Sequence, residues 1–144
     1  MIFPSVRLEI ARTVSQRHRL FSRRKAERPA ELPGTLIEPE GARPPVVRVM
    51  AYDRERLAES ELTDVGSLEP LKSSYPMLWI DICGLGDTGI LRGLGESFGL
   101  HALALEDVLN THNLPKVEEY DDMLFIILRM AAIRDGRLDM EQVS

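Results

Sequence analysis

Glu106 and Asp107 are adjacent carboxylates in a run, His101 to Asn110, whose Leu105, Val108 and Leu109 fall on one face of a helix. At about 100° per residue, with Leu105 at the centre of the buried face, Glu106 lies on the flank and Asp107 on the far side. Side chains that diverge in this way do not chelate one ion together. Each can give a single hard oxygen ligand to a site completed by another element or another subunit. Mg²⁺ suits such a site, because it keeps much of its water and needs only one or two carboxylates. Leu103, four residues before Asp107, also points outward, as expected of a contact surface. The plainer alternative is ordinary surface acid.

The other chemical candidate is Gly84-Leu85-Gly86-Asp87-Thr88-Gly89, a G-x-G-x-x-G stretch between a strand and a helix, with Glu106 and Asp107 about 20 residues further on. A dinucleotide site would need His101 to Leu105 to form the second parallel strand, yet this alanine- and leucine-rich stretch favours helix. Asp87 would also stand against a pyrophosphate, and no further βαβ unit follows. A glycine-rich strand-to-helix turn is the simpler expectation. His18, His101 and His112 are the only histidines, and no set of Cys, His, Asp and Glu has zinc-finger spacing. His101 and His112 fall on the apolar side of the helical wheel, as core-edge residues would. Cys83 lies in an expected buried strand, no serine sits in a nucleophile elbow, and no catalytic residue is assigned.

These residues need elements to hold them. Met77 to Cys83, apolar on both faces except Asp81, predicts a central strand. Ile90, Leu91, Leu94 and Phe98 predict an amphipathic helix closed by Gly99, and Asn113 and Pro115 end the acidic helix. Met123 to Ile133 predicts a long strand, with Asp135-Gly136 as a hairpin turn and a return strand from Leu138. Upstream, Thr35 to Ile37 and Val46 to Tyr52 read as a strand pair, Asp53 as the cap of a short helix reaching Ala58, and residues 60–76 as mixed loop. The return strand stops at Ser144 without a cap or polar tail, as in a piece of something longer.

The whole is 144 residues with one cysteine, so it is the size of a single domain with no disulfide framework. Its longest strongly apolar run, Met123 to Leu128, is far short of the roughly 20 residues of a membrane span. The net charge of −5 is uneven: residues 1–28 hold eight basic and two acidic residues, and the rest hold ten and twenty-one. The acidic body repels nucleic acid and anionic lipid and suits the collection of cations. The first residues, 1–31, form a basic arm, with Val6, Ile10, Val14 and Phe21 at near-helical spacing. A basic amphipathic helix, a transit peptide and a mobile solvated arm all fit it. Pro33-Gly34 then marks entry to the folded body, residues 32–144.

Several separate blocks, in order, resemble the CorA family of magnesium and cobalt transporters. They are Pro33-Gly34-Thr35-Leu36, Leu62-Thr63-Asp64-Val65, Trp79-Ile80-Asp81, Leu94-Gly95-Glu96-Ser97-Phe98-Gly99-Leu100-His101, Leu105-Glu106-Asp107-Val108-Leu109-Asn110, Leu114-Pro115-Lys116-Val117-Glu118, Phe125-Ile126-Ile127-Leu128-Arg129-Met130 and Glu141-Gln142-Val143-Ser144. The resemblance covers residues 32–144 and implies an α/β fold, a mixed sheet flanked by helices, from the first part of a cytoplasmic funnel domain. It implies a homopentamer of the protein's own subunits, reaching the membrane through C-terminal helices that lie beyond Ser144. It also implies regulatory Mg²⁺, with Co²⁺ as a second ion, held between subunits in the closed state. Asp107 matches the family aspartate that faces the next subunit, Glu106 the glutamate of a second site, and Glu31 a position that lends a main-chain carbonyl. Around Glu31 the sequence departs from the pattern. No nucleic acid or small-molecule substrate is implied. A zinc-transporting relative of the same family is the first alternative, and a nucleotide-binding domain built on Gly84 to Gly89 is the second.

Overall fold

The computed structural model describes residues 7–11 and 32–144. Glu31 and most of the basic arm lie outside the described residues, and with them the carbonyl position and most of the expected arm helix. The exception is Arg7–Ala11, which forms strand β1 rather than helix. It runs parallel to β4 (Met77–Cys83) with Arg7 opposite Met77 and Ala11 opposite Asp81. That pairing partner is some 70 positions away in the chain, so helical spacing within the arm carries no trace of it.

β2 (Val46–Tyr52) lies antiparallel to both β4 and β3 (Leu57–Leu62), giving a mixed four-stranded sheet in the order β1-β4-β2-β3. β4 is central, as expected. One face carries the core: Val47, Val49 and Ala51 alternate on β2 with Leu78, Ile80 and Ile82 on β4, all buried. Each of the valine, leucine and isoleucine side chains gains roughly 1.5–3 kcal/mol on leaving water. The other face, with Met50, Trp79 and Asp81, is only half-covered.

Three upstream expectations are corrected. Asp53 does not cap a helix: its Oδ1 accepts the amides of Glu55 and Arg56 at 2.9 and 2.7 Å, closing the β2–β3 hairpin. An aspartate can serve either a turn or a cap with the same oxygen, and the cross-strand partner β2 decides for the turn. Thr35 to Ile37 is not a strand, and the Thr35 amide and hydroxyl instead bond back to the Leu32 carbonyl. Residues 60–76 are not mainly loop: β3 extends to Leu62, a 3₁₀ turn covers Val65–Leu68, and α1 spans Glu69–Ser74 with Pro70 in its first turn.

α2 (Thr88–Phe98) covers the core face with Leu91 and Leu94 and ends at Gly99 in the left-handed conformation, φ 68°. α3 (Ala102–Leu109) follows after a three-residue break. A second, antiparallel sheet is built from β5 (Lys116–Tyr120), β6 (Met123–Arg134) and β7 (Arg137–Val143). β5 was not expected. The β6–β7 turn is Asp135-Gly136 with φ 50° and 71°, the positive pair that a two-residue hairpin demands. Phe125 and Ile127 of β6 pack with Ala104 of α3, while Leu109 of α3 joins the first core. α3 therefore stands between the two cores, and its remaining sides carry Glu106 and Asp107.

Candidate functional site

The Gly84–Gly89 turn is closed to a phosphate. Gly84 has φ 113°, and a Cβ there would meet the Pro44 carbonyl oxygen at 2.5 Å. The Gly86 amide already donates to the Arg43 carbonyl at 2.8 Å, and the Gly89 amide donates to Asp87 Oδ1 at 2.8 Å. Two of the amides that would cradle a pyrophosphate are thus spent within the chain, and Asp87 occupies the helix start as its cap. Moreover, the neighbour that β4 gains after this turn's crossover would have to be parallel, whereas β2 is antiparallel and β1 precedes it.

The two candidate carboxylates diverge on α3, as their spacing predicts. Glu106 Oε2 accepts the Gly34 amide at 2.7 Å, fastening the loop after the basic arm to the helix. Asp107 points away from that loop, toward β5. Its Oδ2 meets Lys116 Nζ at 2.5 Å and its Oδ1 accepts Asn113 Nδ2 at 2.8 Å. Asp107 is therefore less open than its wheel position suggests, with 25% of its side chain exposed. It also sits in the last turn of α3, where the helix dipole disfavours a negative charge, and the Lys116 ammonium offsets that cost.

β5 presents three functional groups by strand alternation. Lys116, Glu118 and Tyr120 share the face toward α3, and Lys116 Nζ also reaches Glu118 Oε1 at 2.8 Å. The Tyr120 hydroxyl donates to Glu118 Oε2 at 2.8 Å. Bonding to the Asp107 and Glu118 carboxylates raises the Lys116 pKa. Bonds from Lys116 and Tyr120 lower that of Glu118, and bonding to Glu118 raises that of Tyr120. Arg129 of β6 donates to the carbonyls of Thr111 and Asn113 at 3.0 and 2.6 Å, pinning the loop that carries Asn113. Gln142, fully buried on β7, reaches the Asp107 carbonyl at 3.4 Å.

Sequence reasoning missed Lys116, Asn113 and Glu118 as parts of this site. The alternation Lys-x-Glu-x-Tyr after Pro115 was the available signal. The histidines are also corrected: His101 caps the start of α3 and stacks on Tyr120 with ring centroids 4.4 Å apart, and His112 lies beyond the helix end. Both are exposed, because neither is inside the helix whose wheel placed them on its apolar side. Cys83 is half-buried. Leu103 is 40% exposed beside the acidic residues, as expected.

Over 115 residues, 78% of its length, the chain is 40% identical to the cobalt/magnesium transport protein CorA of Thermotoga maritima. The chain belongs to the CorA family. It spans 33% of that CorA protein's length. No protein-family model matches it. The α/β architecture, with helices flanking a mixed sheet, is the one that the resemblance to CorA implied.

The donor set fits a divalent cation only in part. Asp107 and Glu106 offer hard oxygens of the right kind, but they face different ways. No group of three or more His, Cys, Asp or Glu side chains able to hold a metal ion occurs among the described residues. One chain thus brings single carboxylates, both already hydrogen-bonded, rather than a closed site. No helix among the described residues is long and apolar enough to cross a membrane.

Proposed function

We propose that this chain is the cation-sensing cytoplasmic part of a CorA-type Mg²⁺/Co²⁺ transporter, with Asp107 as its principal ligand and Glu106 as a secondary one. One observation carries this reading: Asp107 stands partly exposed at the edge of α3, next to the exposed Leu103, on a face that another subunit can approach. In a homopentamer each such face meets a neighbouring subunit, and a cation shared there removes the repulsion between facing carboxylates, which favours the closed arrangement. Asp107 contributes a hard oxygen, and Leu103 gives the contact an apolar margin. Glu106 ties the Gly34 loop to the same helix, so movement at one end of the loop reaches the acidic face. Glu31 remains part of the proposal as a carbonyl donor. In this reading the transported ion is Mg²⁺ or Co²⁺, and membrane attachment belongs to helices outside these residues.

Within a single chain, Asp107 should bind Mg²⁺ weakly, at an affinity on the order of millimolar, because one carboxylate supplies one ligand and water supplies the others. Amide NMR during Mg²⁺ titration of the wild type and of Asp107→Asn tests this. Small shifts around residues 103–113 that vanish in Asp107→Asn are expected. Micromolar binding by the lone chain, or identical shifts in the variant, would refute the shared-site reading.

A further inference from the structure

We propose that Lys116 is a tethered competitor for the cation at Asp107, an ammonium that holds the carboxylate in the ion-free state and must withdraw before a divalent cation can bind. The proposal rests on the reading of Asp107 as a cation ligand. It follows from a mismatch: the oxygen that a cation would need is already taken. Lys116 Nζ lies 2.5 Å from Asp107 Oδ2, while Asn113 Nδ2 holds Oδ1 at 2.8 Å, so both oxygens are engaged. A neutral amide cedes a carboxylate oxygen readily, but the ammonium brings a full positive charge to the spot a cation would occupy.

Three features make Lys116 a reversible competitor rather than a fixed strut. Its side chain is 30% exposed and that of Asp107 is 25% exposed, so separating them does not strand a bare charge in a dry interior. Glu118 Oε1 is already within 2.8 Å of the same nitrogen, so the ammonium has a second carboxylate to keep when it releases the first. Lys116 Nζ also lies over the Phe125 ring, 5.6 Å from its centroid, a contact that keeps the head group close by while it changes partner.

The consequence is a threshold selective for charge. A monovalent cation gains nothing over the ammonium already in place, whereas a divalent cation has twice the charge with which to displace it. The strength of the pair then sets the concentration at which the site fills. A partly exposed pair of this kind changes an equilibrium by up to about fivefold.

The test is Mg²⁺ titration of the full chain, followed by amide NMR at constant ionic strength, on the wild type, Lys116→Met, Lys116→Arg and the Lys116→Met/Asp107→Asn double variant. Methionine keeps the apolar stem and removes the charge, while arginine keeps the charge. Lys116→Met is expected to bind Mg²⁺ up to about fivefold more tightly at residues 103–113. Lys116→Arg should bind no more tightly than the wild type, and the double variant should lose the gain. Equal affinity in Lys116→Met and the wild type, with binding at Asp107 intact in both, would overturn the competitor while leaving the ligand assignment standing. A gain that survives Asp107→Asn would overturn it too, as a diffuse charge effect. Absence of binding near Asp107 in every protein would remove the ligand assignment itself and the competitor with it. Should Lys116→Met fail to fold, the Lys116 ammonium resonance of the wild type decides. It should move as Mg²⁺ is added, and an ammonium signal unchanged while the Asp107 carboxylate shifts would overturn the proposal.

Discussion

Replacing Gly84 by alanine should destabilise this protein far more than the same change at Gly99, although both glycines have positive φ. At Gly99, φ is 68° and an added Cβ would meet nothing within 4 Å. Only the left-handed penalty then applies, about 1–2 kcal/mol. At Gly84, φ is 113°, outside the region that alanine tolerates, and the Cβ would stand 2.5 Å from the Pro44 oxygen and 2.8 Å from the Arg43 oxygen. Those atoms are backbone, and the Arg43 carbonyl is also the acceptor for the Gly86 amide. The strain of about 1–3 kcal/mol is therefore joined by an overpacking cost of about 1–3 kcal/mol, because the 43–44 segment must move. The expected loss for Gly84→Ala is about 2–6 kcal/mol, a large share of the 5–15 kcal/mol typical of a domain. Urea unfolding followed by fluorescence of Trp79, the single tryptophan, sited on the adjoining strand, measures it directly. A loss for Gly84→Ala no greater than that for Gly99→Ala would refute the close-packed turn and reopen the space for a phosphate.

Leu94, fully buried between α2 and the sheet, should cost about 3–5 kcal/mol as Leu94→Ala, read from the same urea midpoints; a loss below about 1 kcal/mol would contradict the core assignment. The β5 cluster gives a pH signature. Glu118 has its pKa lowered, so its contribution is present above the ordinary carboxylate value of about 4.3 and is lost as pH falls through its folded value. Tyr120 and Lys116 have theirs raised, so their contributions hold below about pH 10 and are lost as pH rises through their folded values. The stability gap between wild type and Glu118→Gln, taken from urea midpoints across pH, should therefore persist near neutrality and close below about pH 4. A gap unchanged into strong acid would contradict the Lys116–Glu118–Tyr120 arrangement.

The elements legible in the sequence are those whose signal is local. Gly99 after an apolar stripe ends α2, Asp135-Gly136 closes the β6–β7 hairpin, and the spacing of Leu105 and Leu109 orients α3 correctly. The elements that were missed depend on partners remote in the chain. β3 reads Leu-Ala-Glu-Ser-Glu-Leu, without one β-branched residue, and is a strand because β2 lies beside it. β1 exists through β4, and β5 is only five residues long. The candidate site divides in the same way. The divergence of Glu106 and Asp107 follows from helix geometry alone. That Asp107 meets a lysine nine positions later, across a loop pinned by Arg129, required the second sheet to be seen in place. Helix periodicity reports which way a carboxylate points and carries no information on what waits there.

The most direct measurement is paramagnetic broadening of the labelled chain by Mn²⁺, a divalent cation with the same preference for hard oxygen ligands. Broadening centred on residues 103–113, and abolished by Asp107→Asn, is the expected result. Broadening centred instead on Glu55 to Glu61 or Asp135 to Glu141, with the α3 signals untouched, would contradict the assignment of Asp107 as the point where this chain meets its cation.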